Sequence, residues 1–204
     1  MEENIENIVY SKNVLEFTTV ANEYCAFIEK GYEISQKDFF SKIQKLLPLL
    51  YLKASLLPEL RAINTEECEK FVSLEEWEII NKISKSILNE FDSFNDVYDP
   101  LMQEDENSCS SSISENIADI YQDLKDFVNL YNIGSVEMMN DAIFECKLNY
   151  KNFWGQRLVN ILRPIHNIFY GNKELNTEVN TEIKDTDNNS WNISQKFENL
   201  DDDE

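Results

Sequence analysis

The chain has one histidine, His166, and it stands three residues after Arg163 in the stretch NFWGQRLVNILRPIHNIF, residues 152–169. The same stretch holds Arg157, so two of the chain's three arginines are gathered here. An imidazole titrates near neutral pH and can carry a proton, while a guanidinium grips carboxylate or phosphate through paired donors. Residues three apart on a helix are neighbours, so Arg163 and His166 can face one anionic group together. Arg157 flanks the apolar arc of Trp154, Leu158, Ile161, Leu162, Ile165 and Phe169 on the side away from His166, and cannot join them from a straight helix. Pro164 cannot donate to the carbonyl of Asn160, which leaves that oxygen for a side chain or water. With Trp154 or Tyr121 nearby, Arg163 and His166 form a candidate small-molecule, anion-binding or enzymatic pocket. The plainer alternative is a core helix whose arginines pair with acids of neighbouring helices, such as Glu115, Asp119, Asp123 and Asp126. That acidic row lies opposite an apolar stripe and reads most simply as a solvated face.

Most catalytic classes find little support. Acid–base or nucleophilic chemistry needs a nucleophile, a base and a stabiliser within reach, and one histidine allows one such base. No G-x-S-x-G, P-loop or H-E-x-x-H pattern occurs. A helical di-metal site built on E-x-x-H motifs needs two histidines. Cys25, Cys68, Cys109 and Cys146 are far apart, without a C-x-x-C pair, so neither a metal nor a cofactor is expected. The reading therefore leans away from an enzyme.

Charge narrows the partners. The chain carries 39 acids against 18 bases, a formal charge of −21. Nucleic-acid affinity rests on neutralising phosphates with a basic surface, so direct binding is not expected, and an anionic membrane is disfavoured for the same reason. An acidic field suits a protein partner, a basic one above all. A homo-oligomer is compatible with the sequence. The N-terminal stretch MEENIENIVYSKN has neither a basic nor an apolar region of the secretory kind, and with scattered thiols a cytoplasmic location is expected. The longest apolar stretch, IQKLLPLLYLKASLLP, is too short to span a bilayer.

The elements that would position these groups read as helices, since only four glycines and four prolines occur. Ser11 opens the first, with Val14, Phe17, Ala21, Tyr24 and Ile28 as its stripe and Gly31 as its stop. Ser35, with Asp38 three on, opens the second, whose leucines lie on nearly every side. That pattern predicts the central, most buried helix, kinked at Pro48. Ser73 and Glu76 form a capping box before Trp77, Ile80, Ile83, Ile87, Phe91 and Phe94. Residues 97–112 are a polar connection without periodicity. Ser112 and Glu115 open a fourth helix that buries Ile113, Ile117, Ile120, Leu124, Phe127 and Tyr131. Gly134 ends it, and Ser135 opens a run to Gly171. A single helix over 135–170 would be roughly 50 Å long, so Gly155 or Pro164 is expected to bend or split it. The expectation is an all-α bundle of five or six helices over residues 1–171.

Beyond Gly171 the composition shifts. Residues 172–204 hold ten acids and three bases, a net of −7, and little to bury, which predicts a disordered acidic tail. Within it Ile193, Phe197 and Leu200 fall at i, i+4 and i+7, with Trp191 just before and four acids after. As a helix these residues would present one apolar face, a candidate docking segment for a partner groove or for the protein's own bundle. The bland alternative is an acidic tail with incidental apolar residues.

Four blocks, VYSKNVLEFTTVANEYCAFIE, LLPLLYLKASLLPEL, IYQDLKDFV and FWGQRLVNILRPIH, occur in an order that resembles the DUF5063 family of bacterial proteins common in Bacteroidetes. The resemblance covers about residues 9–170 and omits the tail. It implies an all-helical fold and supplies no catalytic residue or cofactor. The family's W-G-x-x-L block with its terminal L-R-x-x-H falls here on Trp154, Gly155, Leu158, Leu162, Arg163 and His166. Packing could account for that block as easily as function.

Overall fold

A computed structural model describes residues 5–64, 68–95 and 110–179. Among them the helices are α1 (Ile5–Val9), α2 (Lys12–Glu29), α3 (Gln36–Ser55), α4 (Leu74–Leu88), α5 (Ile113–Asn132), α6 (Val136–Asn149) and α7 (Gly155–Tyr170). Six long helices and one short one make the fold all-α, as expected. Two short strands, β1 (Ser93–Asn95) and β2 (Ser110–Ser112), pair antiparallel with Ser93 opposite Ser112.

The expected serines start the helices. Ser35, Ser112 and Ser135 each accept the amide of the residue three on. Ser73 and Glu76 form the full reciprocal box: Ser73 Oγ accepts the Glu76 amide at 3.2 Å, and the Glu76 carboxylate accepts the Ser73 amide at 2.8 Å. Each such cap satisfies a donor that the first turn leaves without a helical partner, worth about 1 kcal/mol.

One helix boundary and one connection differ from expectation. The stripe read through Phe94 as one helix stops at Leu88, because Asn89 takes φ 49°. Phe94 lies instead in β1, and residues 110–112 of the supposed irregular connection form β2. The ladder is held from below by Asp92, whose carboxylate accepts the Ser114 amide at 2.7 Å and the hydroxyls of Ser112 and Ser114.

The centre of the bundle is α5, not α3. It packs against α2, α4, α6 and α7, and Ile113, Ile117, Ile120 and Leu124 have no exposed surface. The second helix, expected to be the most buried, is covered on one side only. Phe39, Phe40, Ile43, Leu47 and Leu50 enter the core, whereas Leu49, Tyr51, Leu52 and Leu56 stay exposed, Leu52 by 52%. Apolar residues all round a helix set no direction by themselves; its neighbours, α2 and α7, leave one side of α3 without cover. The helix runs unbroken through Pro48.

The long C-terminal run does split, at the place expected. Between α6 and α7 the chain takes one wider π-turn over Tyr150–Trp154. Gly155 follows, where a Cβ would stand 2.3 Å from the Tyr150 carbonyl oxygen, a distance no side chain can occupy. The turn re-aims Trp154 into the core, where it has no exposed surface and lies against Phe17 and Tyr150. Pro164 lies within an unbroken α7.

Candidate interaction site

Helix α7 turns two sides to its surroundings. Leu158, Ile161 and Ile165 are buried, and the opposite side carries Val159, Arg163, His166 and Tyr170 in the open. With Leu162, Asn167 and the α3 residues Gln44 and Pro48, these line a hollow of about 580 Å³ between α3 and α7, open along most of its length. The Tyr170 hydroxyl donates to Gln44 Oε1 at 3.3 Å and ties the end of α7 to α3. The His166 ring lies 4.8 Å from that of Tyr170. Arg163 Nη2 donates to the Asn95 carbonyl at 2.9 Å, so its guanidinium also anchors the end of β1. Beyond Pro48, Leu49 and Leu52 of α3 and Leu56 at its C-terminal end are also exposed.

The structure brings together Arg163 and His166 of the candidate pocket and separates the other two residues from them. Trp154 is fully buried, its indole donating to the Cys146 carbonyl at 3.3 Å. Tyr121 is 3% exposed and donates at 2.8 Å to Glu29, which also accepts from Lys125. Both rings are buried, and each satisfies its polar atom with a nearby acceptor instead of lining the hollow. The other candidate residues, Trp191, Ile193, Phe197 and Leu200, lie outside the described residues.

The row Glu115, Asp119, Asp123, Asp126 is not the solvated face expected; only Glu115 is exposed. Asp119 accepts the Trp77 indole at 2.9 Å and pairs with Arg157 at 2.9 Å, the arginine–acid pairing that the plainer reading anticipates. Asp123 accepts from Asn149 at 2.7 Å, and burial pushes its carboxyl up to about 6. Asp126 accepts the amides of Phe71 at 2.8 Å and Val72 at 2.9 Å; burial raises it too, against the pull of those amides. The long connection between α3 and α4, of which residues 65–67 are not described, lies against the Asp123 and Asp126 end of this row. Asp141 of α6 holds the same connection by the amides of Ile63 and Asn64. Burial acts to raise Asp141, but those donors outweigh it and hold the carboxyl below its usual range.

Beneath the connection lies an interior space of about 20 Å³, lined in part by Cys68, Asp123, Asp126, Glu145 and Cys146. That volume suits about one water. Burial pushes the Cys68 thiol up to about 12 and the Cys146 thiol well above its ordinary value. Neither is a thiolate near neutral pH, so this acidic interior is no nucleophilic centre.

The lining residues that sequence reasoning missed are Gln44, Pro48, Val159, Asn167 and Tyr170. One signal was present: Leu49, Leu52 and Leu56 repeat at i, i+3 and i+7, a second apolar row beyond what one buried face of α3 requires.

No helix of the described residues is long and apolar enough to cross a membrane. A search of curated proteins finds no match to the chain. The crystal structure of protein BF1032 from Bacteroides fragilis is similar, with 40% identity and a TM-score of 0.72, covering 81% of this chain and 98% of that one. Residues 8–171 match a family described as Domain of unknown function (DUF5063), and the chain belongs to that family.

Proposed function

We propose that the domain is a non-enzymatic interaction module that binds another protein across the face formed by α3 and α7. The observation that carries this reading is the open hollow lined by Pro48, Val159, Leu162 and Tyr170, together with Leu49, Leu52 and Leu56 exposed further along the chain of α3; these leucines, Val159 and Tyr170 are each 42–62% exposed. Half-exposed leucines regain about 1 kcal/mol each when covered, so five such side chains supply roughly 5 kcal/mol before ordering losses. A partner must add polar or charged contacts to reach micromolar affinity, which needs about 8 kcal/mol. The formal charge of −14 over residues 1–171 favours the approach of a basic partner at long range, while Arg163 and Lys45 beside the hollow leave its apolar residues, not local charge, to hold that partner there. A cytoplasmic setting fits the unpaired thiols of Cys25, Cys68 and Cys146. The alternative, a small-molecule or anion pocket at Arg163 and His166, is weakened by the loss of Trp154 and Tyr121 from its lining.

Affinity capture from a bacterial extract tests the proposal. Leu52→Asp and Val159→Asp place charge on exposed positions of α3 and α7 and should abolish capture of a partner held by the wild type. Glu115→Lys, on α5, should retain it. Salt-insensitive capture, or equal capture by all four proteins, would overturn the reading.

A further inference from the structure

We infer that the chain's own segment Trp191–Leu200 is the resident occupant of the α3/α7 hollow, docking as an amphipathic helix over the face that a partner would use. This inference rests on the reading of that face as a docking surface and adds what covers it.

Three observations carry it. The first is where the described chain goes after α7. Residues 172–179, assigned by composition to the tail, run along the start of α3: the Asn176 amide donates to Gln36 Oε1 at 3.1 Å, and the Lys37 amide donates to the Asn176 carbonyl at 3.0 Å. Leu175 packs against the core. Gln36 is itself fixed, donating to the carbonyls of Ile87 and Leu88. The described chain therefore ends beside the start of α3 and the end of α4, where Glu174, Asn176 and Glu178 border Tyr32, Gln36 and Asn89, rather than at the end of α7.

The second is length. From Gln36 to Pro48 in the hollow is twelve residues of helix, about 18 Å. From Val179 to Trp191 is twelve residues of chain, which at full extension reach about 40 Å and so cover that span. A tether long enough to span the two ends makes the docking intramolecular and raises the segment's effective concentration at the hollow. Docking then needs only modest intrinsic affinity.

The third is complementarity. Ile193, Phe197 and Leu200 give one apolar helical face, and the hollow offers Pro48, Val159, Leu162 and Tyr170. Residues 191–204 carry five acids and one lysine. The hollow is bordered by Arg163 and by His166, with Lys45 exposed on the Leu49 side of α3, on a domain that is otherwise acidic. The family match ends at residue 171, so the segment is an addition to the family's domain.

The full-length protein labelled with 5-fluorotryptophan tests this by ¹⁹F NMR. The Trp191 resonance is identified by its loss in Trp191→Phe, while Trp77 and Trp154 report on the fold. Trp191 should be displaced from the free fluorotryptophan position in the wild type. It should return there in Phe197→Ser and in Val159→Asp, with the other two resonances unmoved. A Trp191 resonance at the free position in the wild type, or one displaced but indifferent to both substitutions, overturns the inference. Displacement that vanishes on dilution also overturns it, since the occupant is then the tail of a second copy. In the capture experiment Phe197→Ser should raise partner recovery several-fold, because the competitor is removed. Loss of the partner in Val159→Asp together with a Trp191 already at the free position in the wild type leaves the docking face standing and removes the tail from it. A docked Trp191 with capture indifferent to Val159→Asp keeps the tail contact and removes the partner face.

Discussion

Replacing Asp123 by asparagine should stabilise the protein at neutral pH. Burial raises the carboxyl from its ordinary value of 3.8 to about 6, which means that the folded state holds the ionised form badly. A folded-state pKa above the unfolded one makes the folded state bind more protons between the two values, so this group's contribution to stability falls as pH rises through that window. Above pH 6 the full difference applies, and 2.2 units correspond to about 3 kcal/mol. At pH 5 the folded carboxyl is mostly protonated and the unfolded one mostly ionised, and the disadvantage drops to about half. Asparagine has nearly the same shape, and its oxygen can still accept from Asn149, but its own amide protons must find partners. That requirement costs about 1–2 kcal/mol, leaving a net gain of roughly 1–2 kcal/mol at pH 8. For a domain of this size the gain is about 3–8 °C in Tm. Urea unfolding of wild type and Asp123→Asn at pH 8 and pH 5 measures it, because the midpoint shift at unchanged slope reports stability alone. The advantage should be clear at pH 8 and small or absent at pH 5. A variant less stable than wild type at pH 8, or a difference independent of pH, would refute the reasoning.

Three further outcomes follow from the same structure. Asp126→Ala leaves the Phe71 and Val72 amides without their acceptor and should lower stability by about 2–4 kcal/mol, with hydrogen exchange at those two amides accelerating before the rest of the domain. Gly155→Ala drives a methyl into the Tyr150 carbonyl and should destabilise by about 1–3 kcal/mol or more, read as a fall in Tm with loss of near-ultraviolet ellipticity from Trp154. His166→Ala, at an exposed site, should leave the unfolding midpoint within about 0.5 kcal/mol of wild type, so a loss above 2 kcal/mol would mean that the ring is a packing element.

Local signals carried the farthest from sequence to structure. Ser35, Ser73, Ser112 and Ser135 could be placed because a cap needs only the residues of its own first turn. Gly155 marked the break because the constraint there lies between neighbours five apart. The β1–β2 ladder had no such signal: SFN and SSS show no apolar alternation, and seventeen residues separate Ser93 from Ser110. The orientation of α3 failed for a related reason, since leucines on every side leave the choice of buried face to helices distant in sequence. The pairing of Arg163 with His166 followed from helical spacing. The exclusion of Trp154 and Tyr121 required the tertiary contacts with Cys146 and Glu29. The acids of α5 misled because a carboxylate opposite an apolar stripe normally faces water, whereas here Asp119 meets Trp77 and Arg157, Asp123 meets Asn149, and Asp126 meets backbone amides of the long connection.

That connection is gripped by its main chain. Asp141 holds the amides of Ile63 and Asn64, Asp126 those of Phe71 and Val72, and Asn140 donates to the Arg61 carbonyl. Every residue but proline presents the same amide, so this part of the grip does not depend on which side chains the connection carries at those positions. Exposed positions such as Arg61 and Glu69 can therefore vary, while Leu57, Phe71 and Val72 also hold the segment by packing and Asn64 by its side-chain bond to Asp141; a proline scan through 63, 64, 71 and 72 would test the main-chain part of the grip. For protein engineering this makes the outer surface of the connection a site for grafted recognition residues, with the scaffold's hold on them left intact.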